Sequence, residues 1–283
     1  LMPLSEDISM RMIVLILGLV LLFSCSIEQN EESSPRYVVT SPEVGEIIYA
    51  LQGAANIVGV TTEVSYPEEL AVLPKVGEFG TVSREKIIAL RPTIVFTSGL
   101  EQKMLAQDLN KAGIETVMIY PQSFTELLAG IREIATHLDI EERGIAYADS
   151  LQQQIEDLRY TGQQRPRVYL EIYGTPIMSV SSNSFIGEIV ELAGGNNIFD
   201  TLPRDYSRVR AEDGINNDPE IIIITYPGVT PEGIRSRKGW QNIKACQEDR
   251  IYGIEDIDPD IILRAGPRIT DGIITLKRLF HEQ

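Results

Sequence analysis

The stretch "EKIIALRPTIVF" (residues 85–96) joins a short helical pattern to an apolar run, and "EDGINNDPEIII" (residues 212–223) repeats this arrangement later in the chain. In each stretch a Glu precedes a Pro by seven positions: Glu85 precedes Pro92, and Glu212 precedes Pro219. A short apolar run that follows a Pro is typical of a strand buried in a parallel sheet. Because the arrangement occurs once in each half, it predicts two halves of similar construction.

Strand-like and helix-like patterns alternate on both sides of these stretches. The first half reads "RYVVT", a helix after Ser41 and Pro42 that ends at Gly53, "NIVGVT", "TIVFTSG" and "ETVMIY", with helical segments between the strands. The second half reads "RVYLEIY", a helix ended by Gly194 and Gly195, "EIIIITY", "RIYGI" and a terminal helix. Such alternation predicts the α/β class, with parallel sheets covered by helices on both faces.

A long amphipathic segment, "EERGIAYADSLQQQIEDLRYTG", separates the two series. Its apolar face is formed by Ala148, Leu151, Ile155 and Leu158. At 1.5 Å per residue, a helix of this length is about 30 Å long, roughly the breadth of a small domain. We therefore predict an N-terminal lobe (36–140), a connecting helix (141–162) and a C-terminal lobe (163–283). A single helical connector predicts little hinge opening, and a cleft between lobes is a favoured ligand site.

The N-terminus has the pattern of a targeting segment. In "MRMIVLILGLVLLFSCS", the twelve-residue apolar run from Met12 to Phe23 is too short for a bilayer span of about 20 residues, but it suits a signal peptide. "LFSC" resembles a bacterial lipobox, which predicts a lipid on Cys25, a signal peptide over residues 1–25 and a flexible tether over 26–35. We expect translation to begin at Met10 or Met12. A cleaved signal without a lipid, or a membrane anchor, are the alternatives.

The inventory of reactive residues favours a binding protein over an enzyme. A net charge of −16 argues against a nucleic-acid partner, because phosphate binding requires a basic face. The two histidines, His137 and His281, do not have the spacing of a zinc site, so no metal is expected. The sequence contains no dinucleotide-binding, phosphate-binding or nucleophile-elbow motif. Cys246 is predicted to be a small buried residue; a disulfide with Cys25 is the alternative.

Four stretches carry a resemblance to a known family: "YVVTSPEVGEIIYALQGAANIVGVTTEVSYP", "LPKVGEFGTVSREKIIALRPTIVFTSG", "FIGEIVELAGGNNIF" and "AGPRITDGI". They are similar to the substrate-binding proteins of ABC importers for cobalamin, ferric siderophores and haem, and the likeness covers essentially all of residues 36–283. It implies two Rossmann-like lobes joined by one long backbone helix. It also implies an exported monomer, held by its lipid at the outer face of the inner membrane or on the cell surface, whose corrinoid is a transported ligand rather than a cofactor.

The resemblance also implies how this chain meets its importer. In that family one exposed Glu on each lobe docks onto Arg residues of the dimeric permease, and by position these are Glu85 and Glu212 here. A carboxylate offers Arg a bidentate, charge-assisted contact, and two copies suit a two-fold symmetric partner. The alternative is that each Glu only stabilises the first turn of its helix through the macrodipole.

Within this family the aligned residues favour cobalamin. Haem binders commonly carry a Tyr after the "VG" that stands here in "LPKVGEFG", where this chain has Glu78 and then Phe79. The resemblance implies ligand contacts on both lobes, with aromatic walls for the planar corrin and an Asp–Arg pair for its amides. The predicted ligand-binding residues are Pro42, Phe79, Tyr206, Asp260 and Arg264, with Glu63, Tyr66 and Ser98 in further positions. Glu63 and Ser98 replace expected aromatics, and a structural role for Tyr66 remains open.

Four alternatives remain. A ferric-siderophore binder would use converging cations such as Arg204, Arg208, Arg210 and Arg264, and haem ranks third among the ligands. A chelatase-like tetrapyrrole enzyme has the same lobe architecture but needs metal-facing histidines or acids. A surface interaction protein predicts a shallow apolar groove into which the Asp260–Arg264 pair does not face.

Overall fold

Two four-stranded parallel sheets, one from each half of the chain, form the frame of the molecule. The structure, a computed structural model, describes residues 34–282. The strands are β1 Tyr37–Val39, β2 Ile57–Val60, β3 Gly77–Glu78, β4 Thr81–Val82, β5 Ile94–Thr97, β6 Glu115–Met118, β7 Arg167–Glu171, β8 Tyr173–Gly174, β9 Ile177–Val180, β10 Asn196–Asn197, β11 Tyr206–Arg208, β12 Ile221–Ile224 and β13 Ile251–Tyr252. The helices are α1 Pro42–Ala50, α2 Glu68–Ala71, α3 Arg84–Ala89, α4 Lys103–Lys111, α5 Phe124–His137, α6 Glu141–Leu158, α7 Phe185–Leu192, α8 Ala211–Asn216, α9 Pro231–Arg235, α10 Lys244–Gln247, α11 Asp260–Leu263 and α12 Ile269–His281.

Both sheets have the same strand order. The first runs β2-β1-β5-β6 and the second β10-β7-β12-β13, and all pairs within them are parallel. In each, the chain first winds to one side of its starting strand and then returns to the other. Each sheet therefore has a topological switch point, between β1 and β5 in the first and between β7 and β12 in the second, where ligands of open α/β sheets bind. The predicted two-lobe α/β fold with parallel sheets is confirmed.

The two quoted stretches form the same unit in each half. Glu85 and Glu212 lie in the first turns of α3 and α8, and a strand follows each helix. The residue before the Pro takes a left-handed backbone conformation in both copies, with φ of 48° at Arg91 and 43° at Asp218. This region is uncommon for residues other than Gly, so the repetition extends from the residue spacing to the backbone geometry.

Helix α6 joins the two halves, and it ends at Leu158 rather than at the predicted residue 162. At Arg159, ψ of 127° turns the backbone out of the helix. α6 packs against both α5 and α12. Its buried residues Ala148, Leu151 and Ile155 belong to the largest hydrophobic cluster, which includes side chains from both sheets. One core therefore runs through both lobes, while the domain boundaries given above stay a prediction.

Two small antiparallel sheets, of order β11-β9-β8 and β3-β4, were not predicted. Their strands are two to four residues long, too short to give a clear alternation of polar and apolar residues. They matter for the site because β11 begins with Tyr206 and the β3–β4 turn carries Phe79. The predicted signal peptide, Cys25 and residues 26–33 of the predicted tether lie outside the described residues, while Cys246 is buried, as predicted.

Candidate functional site: a cleft between the lobes

A cavity of about 320 Å³ lies between the two lobes, at the carboxyl ends of the strands. The first lobe contributes Glu43, Tyr120, Pro121 and Gln122 to its wall, and the second contributes Ile172, Phe185, Ile186, Tyr206, Leu263, Arg264 and Ala265. Glu43 follows β1, Tyr120 follows β6 and Ile172 follows β7, so strand ends of both sheets meet here. Two of the predicted ligand-binding residues, Tyr206 and Arg264, line this cavity.

A network of buried polar side chains shapes the first lobe's side of the cleft. Ser98, which follows β5, donates its hydroxyl proton to Glu43 (Oγ–Oε1 3.0 Å). The buried Gln102 accepts from the Ser98 amide (3.0 Å) and donates to the carbonyls of Thr40 (3.2 Å) and Phe79 (3.1 Å). Gln102 therefore ties the ends of β1 and β5 to the β3–β4 turn, and it orients Glu43 at the switch point through Ser98.

Glu63 holds the Phe79 turn from the other side. Its carboxylate accepts a hydrogen bond from the Phe79 amide (3.0 Å), while its carbonyl accepts one from Arg264 across the cleft (3.1 Å). Partial burial opposes ionisation of this carboxyl group, but the hydrogen bonds from the Phe79 and Glu63 amides outweigh it, and the pKa of Glu63 falls below its usual value. Two predicted positions, Glu63 and Phe79, are therefore in direct contact beside the cavity.

Arg264 lies at the centre of an ion cluster that joins the lobes. Its guanidinium contacts Asp260 (Nη2–Oδ2 2.8 Å) at the start of α11 and Glu46 (Nη1–Oε1 3.2 Å) of α1. Burial raises the pKa of Asp260, and the charge of Arg264 opposes that rise. The predicted Asp260–Arg264 pair is formed, and Arg264 faces the cavity, contrary to the expectation for a shallow apolar interaction groove.

The aromatic side chains on the cavity wall come from opposite lobes. Tyr206 is half-buried on β11, and Tyr120 is exposed on the first lobe. Burial of Tyr206, together with the negative charge of Asp205, raises the pKa of its phenol to about 12. Tyr206 is therefore a neutral phenol near pH 7, able to donate one hydrogen bond and to present a flat face.

The remaining predicted residues lie near the cleft or on the surface. Pro42 is buried at the first position of α1, next to Glu43. Tyr66 is 44% exposed and stacks under the guanidinium of Arg268 (4.4 Å from ring centroid to Cζ), a contact that supports its structural reading. Glu85 and Glu212 are exposed. Glu85 accepts from the Ser83 hydroxyl (3.2 Å), and hydrogen bonds from its own amide and from Ser83 lower its pKa.

Sequence reasoning missed Glu43, Glu46, Tyr120 and Arg268. Glu43 and Glu46 form part of α1, and an acid such as Glu43 in the first turn of a helix is ordinarily explained by the macrodipole. Tyr120 follows a predicted strand end, a position that could have indicated it. Within residues 34–282, no group of three His, Cys, Asp or Glu residues is placed to hold a metal ion. In the same part of the chain, no helix is long and apolar enough to cross a membrane.

Two curated relatives match most of the chain. The uncharacterized ABC transporter substrate-binding lipoprotein YvrC of Bacillus subtilis is 27% identical over 253 residues, which are 86% of this chain and 79% of the relative. The vitamin B12-binding protein of Vibrio parahaemolyticus is 24% identical over 265 residues, which are 92% of this chain and 94% of the relative.

Solved structures share the fold. The periplasmic vitamin B12-binding protein BtuF of Vibrio cholerae superposes with a TM-score of 0.72 at 23% identity, covering 86% of this chain and 95% of that one. The periplasmic heme-binding protein RhuT of Roseiflexus sp. RS-1, in its apo form, gives 0.76 at 23% identity, covering 87% and 99%. The family model described as periplasmic binding protein matches residues 38–257. This chain is therefore a member of the periplasmic binding protein family.

Proposed function

We propose that this protein captures a cobalamin-type corrinoid between its lobes and delivers it to an ABC importer, without making or breaking a bond. The observation that carries the proposal is the chemistry of the cleft. Aromatic side chains stand on both lobes, and the one Arg on the described cavity wall is already paired with acids. Relatives named vitamin B12-binding proteins match over nearly the whole chain.

The charge of the cleft favours a ligand whose periphery carries amides rather than carboxylates. The charged residues on the described cavity wall are Glu43 and Arg264, and Arg264 contacts both Glu46 and Asp260. Ferric siderophores are often anionic, and haem carries two propionates, so both would need excess positive charge. The cations that a siderophore binder would use do not converge here: Arg204, Arg208 and Arg210 are exposed, and Arg210 pairs with Asp213 (2.7 Å).

Haem and a corrinoid differ in what they need from the protein. Haem iron is held by an axial side chain such as His, Cys, Met or Tyr, and on the described cavity wall Tyr120 and Tyr206 are the residues of these types. A corrinoid needs no such ligand from the protein, because flat aromatic faces and hydrogen bonds to its peripheral amides are sufficient. The groups available for those amides are Arg264, Asp260, Gln122, Glu43 and the Tyr206 hydroxyl.

Membrane attachment and docking to the importer are also part of the proposed function. A lipid on Cys25 holds the protein at the outer face of the membrane, as the description of the relative YvrC as a lipoprotein supports. Glu85 and Glu212 dock onto basic residues of the permease. α3 and α8 each precede a parallel strand, and a helix in such a unit runs antiparallel to its strands, so we expect their first turns near the carboxyl-end edge that holds the cavity. A permease that contacts both Glu residues would thus face the mouth of the cleft.

Equilibrium dialysis of the full chain in detergent against cyanocobalamin tests the proposed ligand. We expect one site per chain with a Kd in the micromolar range or tighter, weakened at least about tenfold by Tyr206→Ala or Arg264→Ala, because each removes a wall contact. Glu68→Gln, an exposed first-turn acid of α2, is the matched control and should bind as the wild type does.

Parallel dialysis with haem and with an anionic ferric chelate separates the alternatives. Retention of either compound without retention of cyanocobalamin would reject the corrinoid assignment and leave the family assignment intact.

A further inference from the structure

A buried carboxylate outside the cavity wall pairs with the arginine that lines the cavity. Glu46 lies in α1 of the first lobe, and its side chain is only 2% exposed. It accepts hydrogen bonds from two guanidinium groups of the second lobe: Arg268 through Nε (2.8 Å) and Nη2 (2.7 Å), and Arg264 through Nη1 (3.2 Å). One acid therefore holds two cations that lie more than 200 positions later in the sequence.

The two arginines differ in what else they contact. Arg268 also pairs with Asp258 (3.1 Å) and lies over the Tyr66 ring, so its charge is used outside the cavity. Arg264 pairs with Asp260 (2.8 Å) and donates to the Glu63 carbonyl (3.1 Å), and it also lines the cavity. Of the two guanidiniums, only that of Arg264 can therefore meet a ligand in the cavity.

The acids paired with Arg264 determine the charge that a ligand meets in the cavity. With Glu46 and Asp260 in place, Arg264 presents N–H donors whose positive charge is already compensated. Such donors suit the neutral carbonyl of an amide. An isolated Arg, by contrast, would offer a carboxylate a bidentate, charge-assisted pair. The nearby Glu43 adds a repulsive charge, and repulsion of this kind is a common source of specificity.

We infer that Glu46 is a specificity-determining positioning residue: by orienting and neutralising Arg264, it makes the cleft select amide-bearing tetrapyrroles over carboxylate-bearing ones. The inference rests on the proposed function for the ligand class, and it adds the residue that excludes acidic members of that class. Arg268 takes part as the second guanidinium that hydrogen-bonds the Glu46 carboxylate.

The test compares two corrinoids that share one macrocycle. Cyanocobalamin carries neutral amides, and cobyrinic acid carries carboxylates at the corresponding peripheral positions. We expect the wild-type chain, in detergent, to prefer cyanocobalamin, and Glu46→Gln to reduce the ratio of the two affinities by about tenfold or more, because an uncompensated Arg264 attracts carboxylates. A purely structural role for Glu46 would weaken both ligands equally and leave the ratio unchanged. Glu68→Gln is the control.

Two further variants keep the test valid if Glu46→Gln folds poorly. Glu46→Gln combined with Arg268→Gln removes one charge of each sign and should reproduce the shift in ratio. Arg268→Gln alone leaves Glu46 paired with Arg264, so this variant should retain the wild-type preference for cyanocobalamin. If the ratio of the two affinities is unchanged in the double variant while cyanocobalamin still binds, the inference about Glu46 is wrong and the proposed function stands.

Failure of the wild type to bind cyanocobalamin would instead overturn the proposed function. In that case haem serves as the anionic probe. Haem binding gained by Glu46→Gln and absent from Glu68→Gln would still support the role of Glu46, and no gain would overturn it.

Discussion

At the scale of single residues, the most constrained group in the second lobe is the buried carboxylate of Glu171. It is fully buried at the end of β7 and accepts hydrogen bonds from the hydroxyls of Tyr169 (2.6 Å) and Tyr226 and from both terminal nitrogens of Arg237 (2.6 and 2.7 Å). Burial and the negative charge of Glu171 raise the pKa of Tyr169, while burial and the hydrogen bond to Glu171 raise that of Tyr226 to about 12. The cluster therefore depends on one cation, Arg237.

Removal of that cation leaves a buried charge without compensation. We expect Arg237→Ala to lower the free energy of unfolding by about 3–5 kcal/mol, the usual cost of breaking a buried ion pair from one side. Urea denaturation followed by circular dichroism measures it. Arg159→Ala, which breaks the exposed pair with Glu156, is the control and should cost at most about 0.5 kcal/mol. If Arg237→Ala lowers the free energy of unfolding no more than Arg159→Ala does, the explanation by an uncompensated buried charge is wrong.

At the scale of elements, the contact between α5 and α6 depends on a glycine. Gly144 is buried on α6, and an added Cβ would overlap the methyl group of Ala135 on α5. Gly within a helix is normally unfavourable relative to Ala, by about 1 kcal/mol. Its presence here follows from the close approach of the two helices, which brings the connecting helix onto the first lobe.

Replacing Gly144 with Ala should therefore destabilise the protein, although Ala by itself favours a helix more than Gly does. We expect Gly144→Ala to lower the free energy of unfolding by about 1–3 kcal/mol, because the helices must move apart. Gly233→Ala, in α9, is the matched control, since its Cβ would meet only ordinary contacts at 3.5 Å or more. Thermal unfolding of both variants measures the difference. A stabilised Gly144→Ala protein would show that propensity, rather than packing, governs the site.

At the scale of the whole molecule, the lobes share one core. The largest hydrophobic cluster extends from Tyr37 in the first sheet, through Leu151 of α6, to Phe280 in the last helix. Residues buried against both lobes couple their unfolding, because exposing one surface of the core exposes the other. This shared core is also the physical basis for expecting little hinge movement.

Calorimetry should therefore record a single unfolding transition from residues 34–282. We expect Leu151→Ala to lower the free energy of unfolding by about 2–5 kcal/mol while the transition stays single, since it removes a buried side chain from the shared core. Ile145→Ala, on the exposed face of the same helix, should change it by less than about 0.5 kcal/mol. Two separate transitions would mean that the lobes unfold independently.

Docking to the importer also belongs to this scale. We expect Glu85→Ala combined with Glu212→Ala to reduce corrinoid uptake by living cells at least about tenfold, because both charge-assisted contacts with the permease are lost. Cyanocobalamin binding by the purified double variant should stay unchanged. Glu68→Ala is the control for removing an exposed first-turn acid. Normal uptake by the double variant would assign Glu85 and Glu212 to helix stabilisation only.

Local sequence patterns were sufficient to predict the α/β class, the two series of elements and the position of the connecting helix. These features follow from local signals: the period of apolar residues, the Pro and Gly at element ends, and the spacing from Glu85 to Pro92 that returns from Glu212 to Pro219. The Asp260–Arg264 pair was expected from the family resemblance, and its spacing of four positions is also that of a local ion pair.

The acid that compensates Arg264 across the cleft could be identified only from the folded arrangement of the chain. Glu46 lies 218 positions earlier, in a helix where an acid has an ordinary explanation, and no local pattern links it to Arg264. The same holds for Tyr120 opposite Tyr206, and for Gln102 between Ser98 and Phe79. Periodicity specifies which face of an element is buried, but the charge and shape of a cleft between lobes depend on where strand ends from separate sheets meet.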